Sequence, residues 1–111
     1  MAHIFLLRST YNNKRLSLFH VADGDLARYV GVGLFDDGNK DVSISATGEM
    51  FACDNKSGHI YVFSADGSTL LRSWGSTGSL DGQFQSPTAL AVVNFKLFVL
   101  DMGGTRVQMF E

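Results

Sequence analysis

The chain of 111 residues has one proline, Pro87, and one cysteine, Cys53. A single thiol excludes an intrachain disulfide framework, and no Cys-x-x-Cys or His-x-His pair offers zinc-ligand spacing. Long apolar runs are also missing. No stretch approaches the ~20 residues of a membrane span, and the apolar start Ile4-Phe5-Leu6-Leu7 is too short for a secretory leader. Charge of one sign is lacking too: 9 basic against 11 acidic residues give a net charge of −2. Neither half is strongly basic, so bulk charge marks no nucleic-acid face. Helical periodicity of apolar residues is absent over windows long enough to define a helix. Together these absences lead to the expectation of a soluble, cytoplasmic protein with no membrane attachment.

Apolar residues, turn residues and an internal repeat are what the chain does contain. Hydrophobic residues make up 45% of it and are spread along its length, against disorder and in favour of one small domain. Glu49-Met50-Phe51-Ala52-Cys53-Asp54 and Lys96-Leu97-Phe98-Val99-Leu100-Asp101 both read charged, four apolar, acidic. His59-Ile60-Tyr61-Val62-Phe63 and Arg106-Val107-Gln108-Met109-Phe110 repeat in the same register, and both pairs share one offset (101 − 54 = 47 and 110 − 63 = 47). A weaker copy opens the chain, with Ile4-Phe5-Leu6-Leu7-Arg8 matching the first block and Arg15-Leu16-Ser17-Leu18-Phe19 the second. Here Tyr11-Asn12-Asn13 lengthens the turn between them.

Each block is short, rich in Val, Ile, Phe and Tyr, and bounded by Gly, Asn, Asp or Ser, which is the signature of a strand. The pattern predicts strands over 3–8, 15–20 and 26–30; over 41–46, 50–54, 59–64 and 69–74; and over 88–93, 96–101 and 106–110. Asp23-Gly24 and Asp66-Gly67 mark tight turns before the outer strands, because glycine accepts positive φ at little cost. Ala89-Leu90-Ala91-Val92-Val93 and Leu97-Phe98-Val99-Leu100 are apolar at every position, where a half-exposed sheet would alternate. Sheets stacked between neighbouring sheets, as in propeller blades, have that two-sided apolar environment.

These residues resemble NHL repeats. Gly82-Gln83-Phe84-Gln85-Ser86-Pro87 matches that family's Gly-x-Phe-x-x-Pro connection, and Asp54, Ile60, Phe63, Asp66-Gly67 and Trp74-Gly75 match its unit, as do Asp101 and the Arg106–Phe110 block. The likeness is strong over 41–111 and loose before. The Trp-Asp dipeptide of WD40 blades is absent. The resemblance implies an all-β, incomplete β-propeller of four-stranded antiparallel blades, an open arc or a fragment: a partial blade over 1–38, a complete blade over 39–86 and a partial blade over 87–111. It departs from the family in length, since a closed ring of blades needs more than twice this chain. The resemblance also implies structural repeat positions at Asp54, Phe63, Asp101 and Phe110.

No catalytic constellation accompanies the repeat, so the expectation is a protein-interaction scaffold without catalytic activity, cofactor or metal. A protein partner is expected, with self-association through open blade faces. Lys14, Arg15, Lys56 and Arg106 fall at or near equivalent turns between second and third strands and form a candidate basic rim. Through the resemblance this supports a first alternative, RNA binding beside a ubiquitin-ligase module. A fragment of a metal-dependent propeller lyase or lactonase is the second. His3, His20 and His59 are too scattered in sequence to make a metal set. Asp36-Asp37-Gly38-Asn39-Lys40-Asp41 lacks the ligand alternation of a calcium loop, and Gly31-x-Gly33 precedes no helix. Cys53 lies inside an apolar strand and reads as an inert core thiol. Asp54 and Asp101 read as turn-capping carboxylates.

Overall fold

The structure, a computed structural model, describes residues 5–9, 15–35 and 40–111, with side chains described over 15–35 and 41–111. Its regular elements are all β-strands. β1 (Phe5–Ser9), β2 (Leu16–His20) and β3 (Leu26–Val30) make a first antiparallel meander. β4 (Lys40–Ile44), β5 (Met50–Asp54), β6 (His59–Phe63) and β7 (Leu70–Trp74) make a second. β8 (Pro87–Val93), β9 (Lys96–Asp101) and β10 (Arg106–Phe110) make a third. The expected strands appear within a few residues of their predicted bounds, and the all-β class holds. β4 stops at Ile44, short of 46, because Ser45 already turns the chain: its backbone N–H donates to Glu49 O and its hydroxyl accepts from Glu49 N. Pro87 opens β8 instead of preceding it, a position where no ladder donor is needed.

The second sheet lies between the other two. Alternation along β5 and β6 sends Met50, Ala52, Tyr61 and Phe63 to one face, where they join Leu16, Leu18 and Val30 of the first sheet and Phe35 of the connection. Phe51, Cys53, Ile60 and Val62 point to the opposite face and meet Leu90, Leu97 and Val99 of the third sheet, with Phe84 inserted from the connection. Every residue of β5 is buried. Full burial of each such side chain is worth about 1.5–3 kcal/mol, so the two interfaces hold the stack together. Phe35 meets Tyr61 edge-on at 5.0 Å, and the Tyr61 hydroxyl donates to Leu34 O at 3.1 Å. Asp41 Oδ2 accepts from Leu90 N at 2.9 Å and ties β4 to β8 across the second interface.

The three meanders repeat each other in detail. In the first, Val30 stands opposite Leu16, Arg28 opposite Leu18 and Leu26 opposite Phe19, with a bulge between Leu18 and Phe19. In the second, Trp74 stands opposite Ile60, Arg72 opposite Val62 and Leu70 opposite Phe63, with the bulge at the same place. β9 and β10 pair as β5 and β6 do: Phe98 opposite Met109 and Leu100 opposite Val107 correspond to Phe51 opposite Val62 and Cys53 opposite Ile60. The Asp66 turn closes β6 to β7, with the Asp66 carboxylate accepting from Ser64 Oγ, Ser68 N and Ser68 Oγ. Between β8 and β9 the turn residues Asn94 and Phe95 both have positive φ, 51° and 64°. That is the primed hairpin geometry for which Asn-Gly is preferred, so a phenyl side chain sits where glycine fits best.

Candidate functional site

Two surface features stand out, both on the third sheet. The first is the face turned away from the second sheet. β9 alternates strictly: Leu97, Val99 and Asp101 are buried, while Phe98 and Leu100 look outward. Strand register places Ala91, Phe98 and Met109 in one outward row and Ala89, Leu100 and Val107 in the next. All six are apolar. Phe98, Met109 and Val107 are 38%, 47% and 60% exposed. Their equivalents in the second sheet, Phe51, Val62 and Ile60, are buried against the third. The outward face thus has the chemistry of an interior surface.

The second feature is a cleft of about 500 Å³ between the second and third sheets. The β4–β5 and β8–β9 hairpins bound it, and Arg72, Trp74, Phe51 and Phe110 line it. Arg72 bridges to Glu49 at 3.5 Å and lies 5.8 Å above the Phe51 ring. Trp74 packs on Phe110 at 5.4 Å, and its buried indole N–H has no acceptor among the described residues. Phe95, on the lip, is 82% exposed.

Two of the four residues expected to form a basic rim, Arg106 and Arg15, are engaged individually. Arg106 Nη2 donates to Leu80 O at 2.8 Å and to Gln83 O at 2.9 Å, so its guanidinium pins the connection between the second and third sheets. The Arg15 guanidinium lies 3.7 Å above the Tyr29 ring, a cation–π contact. Lys56 is exposed in the β5–β6 turn. Lys14, His3 and residues 36–39 of the acidic turn lie outside the described residues.

The paired aspartates are both fully buried. Asp54 Oδ1 accepts from Lys56 N at 3.0 Å and Ser57 N at 3.4 Å, capping its own turn. Asp101 does more. It accepts from Gly104 N in its own turn at 3.2 Å, and from Gln85 N at 2.9 Å and Ser86 N at 2.8 Å in the inter-sheet connection. Burial disfavours its charge, but the three N–H donors and the nearby Arg106 outweigh that and hold its carboxyl below the usual aspartate range. Phe63 is buried in the first interface, and Phe110 packs against Phe84 at the second. Cys53 is fully buried, its thiol donates to Pro87 O at 3.6 Å, and burial pushes its pKa up to about 12.

Among the described residues no group of three or more His, Cys, Asp and Glu side chains comes together in a way that could hold a metal ion. No helix among them is long and apolar enough to cross a membrane. The apolar face and the cleft were not singled out residue by residue from the sequence. The signal for the face was present, since Phe98, Leu100, Val107 and Met109 are apolar at outward positions while Leu97 and Val99 are apolar at inward ones. No family model matches the chain, and no curated protein is significantly similar to it.

Proposed function

We propose that the chain is an incomplete β-propeller of the NHL kind, with blades at 1–38, 39–86 and 87–111, and that it works as a protein-interaction scaffold without catalytic activity of its own. One observation carries the reading. Phe98, Leu100, Val107 and Met109 stand where the second sheet has Phe51, Cys53, Ile60 and Val62, a face it keeps covered, and Ala91 and Ala89 extend the two outward rows. A surface of this composition loses free energy while it faces water and regains it when another apolar face lies on it. The partner is therefore a protein surface, including that of a second copy of the chain stacked on the third sheet. RNA is the weaker candidate, because Arg106 is spent on backbone carbonyls and Arg15 lies on a tyrosine ring.

Light scattering over a concentration series tests the proposal. The expected result is a mass rising above the 12.1 kDa of one chain, and Leu100→Lys, in the middle of the outward face, returns it to 12.1 kDa. A chain that stays at 12.1 kDa throughout, and whose binding of an apolar-surface dye is unchanged by Leu100→Lys, overturns it.

A further inference from the structure

We infer that His59 is a pH-dependent latch on the connection between the first and second sheets: as an imidazolium it donates from Nδ1 to Leu34 O, and as a neutral ring it releases that carbonyl. The joint lies inside the stack, between two sheets that are both described, and acts whichever surface binds a partner.

The two connections fold alike where they enter the sheet interfaces. Leu34 N donates to Gly31 O at 3.0 Å and Gln83 N donates to Leu80 O at 2.9 Å. A buried phenylalanine, Phe35 or Phe84, follows each turn. The strands that receive these turns correspond as well. Tyr61 and Gln108 share the repeat offset (108 − 61 = 47), and each reaches the matching carbonyl: the Tyr61 hydroxyl donates to Leu34 O at 3.1 Å and Gln108 Nε2 to Gln83 O at 2.7 Å. His59 and Arg106 share it too (106 − 59 = 47), and each opens its strand opposite an aspartate, Asp54 or Asp101. Arg106 adds a second donor to Gln83 O at 2.9 Å, so that carbonyl uses both its lone pairs. Leu34 O takes the Tyr61 hydroxyl in the same way, and among the described residues no second donor reaches it.

His59 supplies that second donor when it is charged. Its ring stacks on Tyr61 at 5.7 Å, beside the side chain that reaches Leu34 O, and its buried Nδ1 has no partner among the described residues. A neutral imidazole carries one N–H and can leave Nδ1 bare, whereas an imidazolium must carry a hydrogen there. A buried N–H without an acceptor is costly, so the charged ring turns to the carbonyl with a lone pair to spare. Other charged groups surround the joint. Asp54 faces His59 from β5, with its Oδ1 on Lys56 N and Ser57 N, and Lys40 pairs with Asp54 from β4. Lys56 is exposed in the turn, and Arg15 of the first sheet lies on the Tyr29 ring. Gly31–Phe35 has no ionisable side chain, and Asp36 and Asp37 lie outside the described residues. Arginine stays charged at every physiological pH and imidazole does not. The second joint is thus fastened permanently and the first conditionally.

Amide hydrogen exchange of the full chain, read by NMR at about pH 5.5 and about pH 7.5 and corrected for intrinsic rates, provides the test. The Leu34 amide reports the first turn and the Gln83 amide the second. The expected result is protection of Leu34 about tenfold higher at the lower pH, with Gln83 unchanged. His59→Arg should hold Leu34 protected at both pH values, and His59→Phe should leave it weakly protected at both. Gln83 protection in the same samples shows that each variant is folded. Arg106→His should confer the pH response on Gln83. Equal protection of Leu34 at the two pH values, or a response that survives His59→Phe, overturns the inference. A response lost in the Asp36→Asn, Asp37→Asn chain with His59 intact would mean that the imidazolium pairs with the acidic turn, and overturns Leu34 O as its acceptor.

Discussion

Phe51, Ile60 and Val62 in the second sheet occupy the same places as Phe98, Val107 and Met109 in the third, and the chemistry at each place is alike. The surroundings are not. One set is sealed by the neighbouring sheet, and the other faces solvent. The difference teaches that burial here is a property of position in the stack and not of the unit itself. Among the described residues the third sheet carries the same apolar pattern on these two strands as the second and has one neighbouring sheet where the second has two.

The comparison breaks most visibly when one charge is placed in both environments. Val62→Asp buries a carboxylate among aliphatic side chains and costs more than about 4 kcal/mol, enough to unfold a domain of ordinary stability. Met109→Asp, at the matching position, changes stability by under about 1 kcal/mol. Circular dichroism on heating should show no folded baseline for the first variant and a near-normal transition for the second.

Asp101 gives the next largest effect. Asp101→Ala leaves the Gln85, Ser86 and Gly104 N–H groups without their acceptor and should cost about 2–3 kcal/mol in urea unfolding. Its pH dependence has a defined sign. The folded carboxyl titrates below the ordinary aspartate value of about 3.9, because its hydrogen bonds outweigh the penalty of burial. The stability it supplies is therefore complete above that value and is lost as pH falls through the lower folded one. Asp101→Asn should flatten this part of the acid limb.

A smaller gain comes from the β8–β9 turn. Phe95 holds φ at 64° and is mostly exposed, so Phe95→Gly removes strain without removing much packing. It should raise stability by about 1 kcal/mol, seen as a higher Tm. The smallest change in stability accompanies the cleanest contrast in reactivity. Cys53 is buried, with a thiol pKa of about 12, and should resist maleimide at pH 8 until the chain unfolds. Leu100→Cys, placed at the equivalent position of the third sheet, should label within minutes while Cys53 does not. Equal rates at the two positions would mean that the third sheet's outward face is covered.

Much of the architecture was legible because it is written in short-range chemistry. Short apolar runs at 50–54 and 59–63, bounded by turn residues, set the strands, and glycine and aspartate at 23–24 and 66–67 set turns. Where the reading fell short, the cause is long-range. Arg106 and Lys56 both fall at or near the turn between second and third strands, and the local pattern treats them alike. Only the path of the connection brings the Leu80 and Gln83 carbonyls to Arg106. Asp101 ends its strand as a turn-capping carboxylate in the local pattern, and only the path of the connection brings the Gln85 and Ser86 N–H groups to it. The cleft depends on how two sheets splay, a distance that no spacing within one sheet encodes.

Each sheet is a meander of consecutive strands, with its members drawn from one unbroken stretch of chain: 5–30, 40–74 and 87–110. No strand has to wait for a distant segment in order to pair, so loop-closure entropy is small within a sheet and larger only between sheets. Stability is then shared by nearest-neighbour coupling, as in a row of tiles. The middle sheet, packed on both faces, is coupled to two neighbours at once.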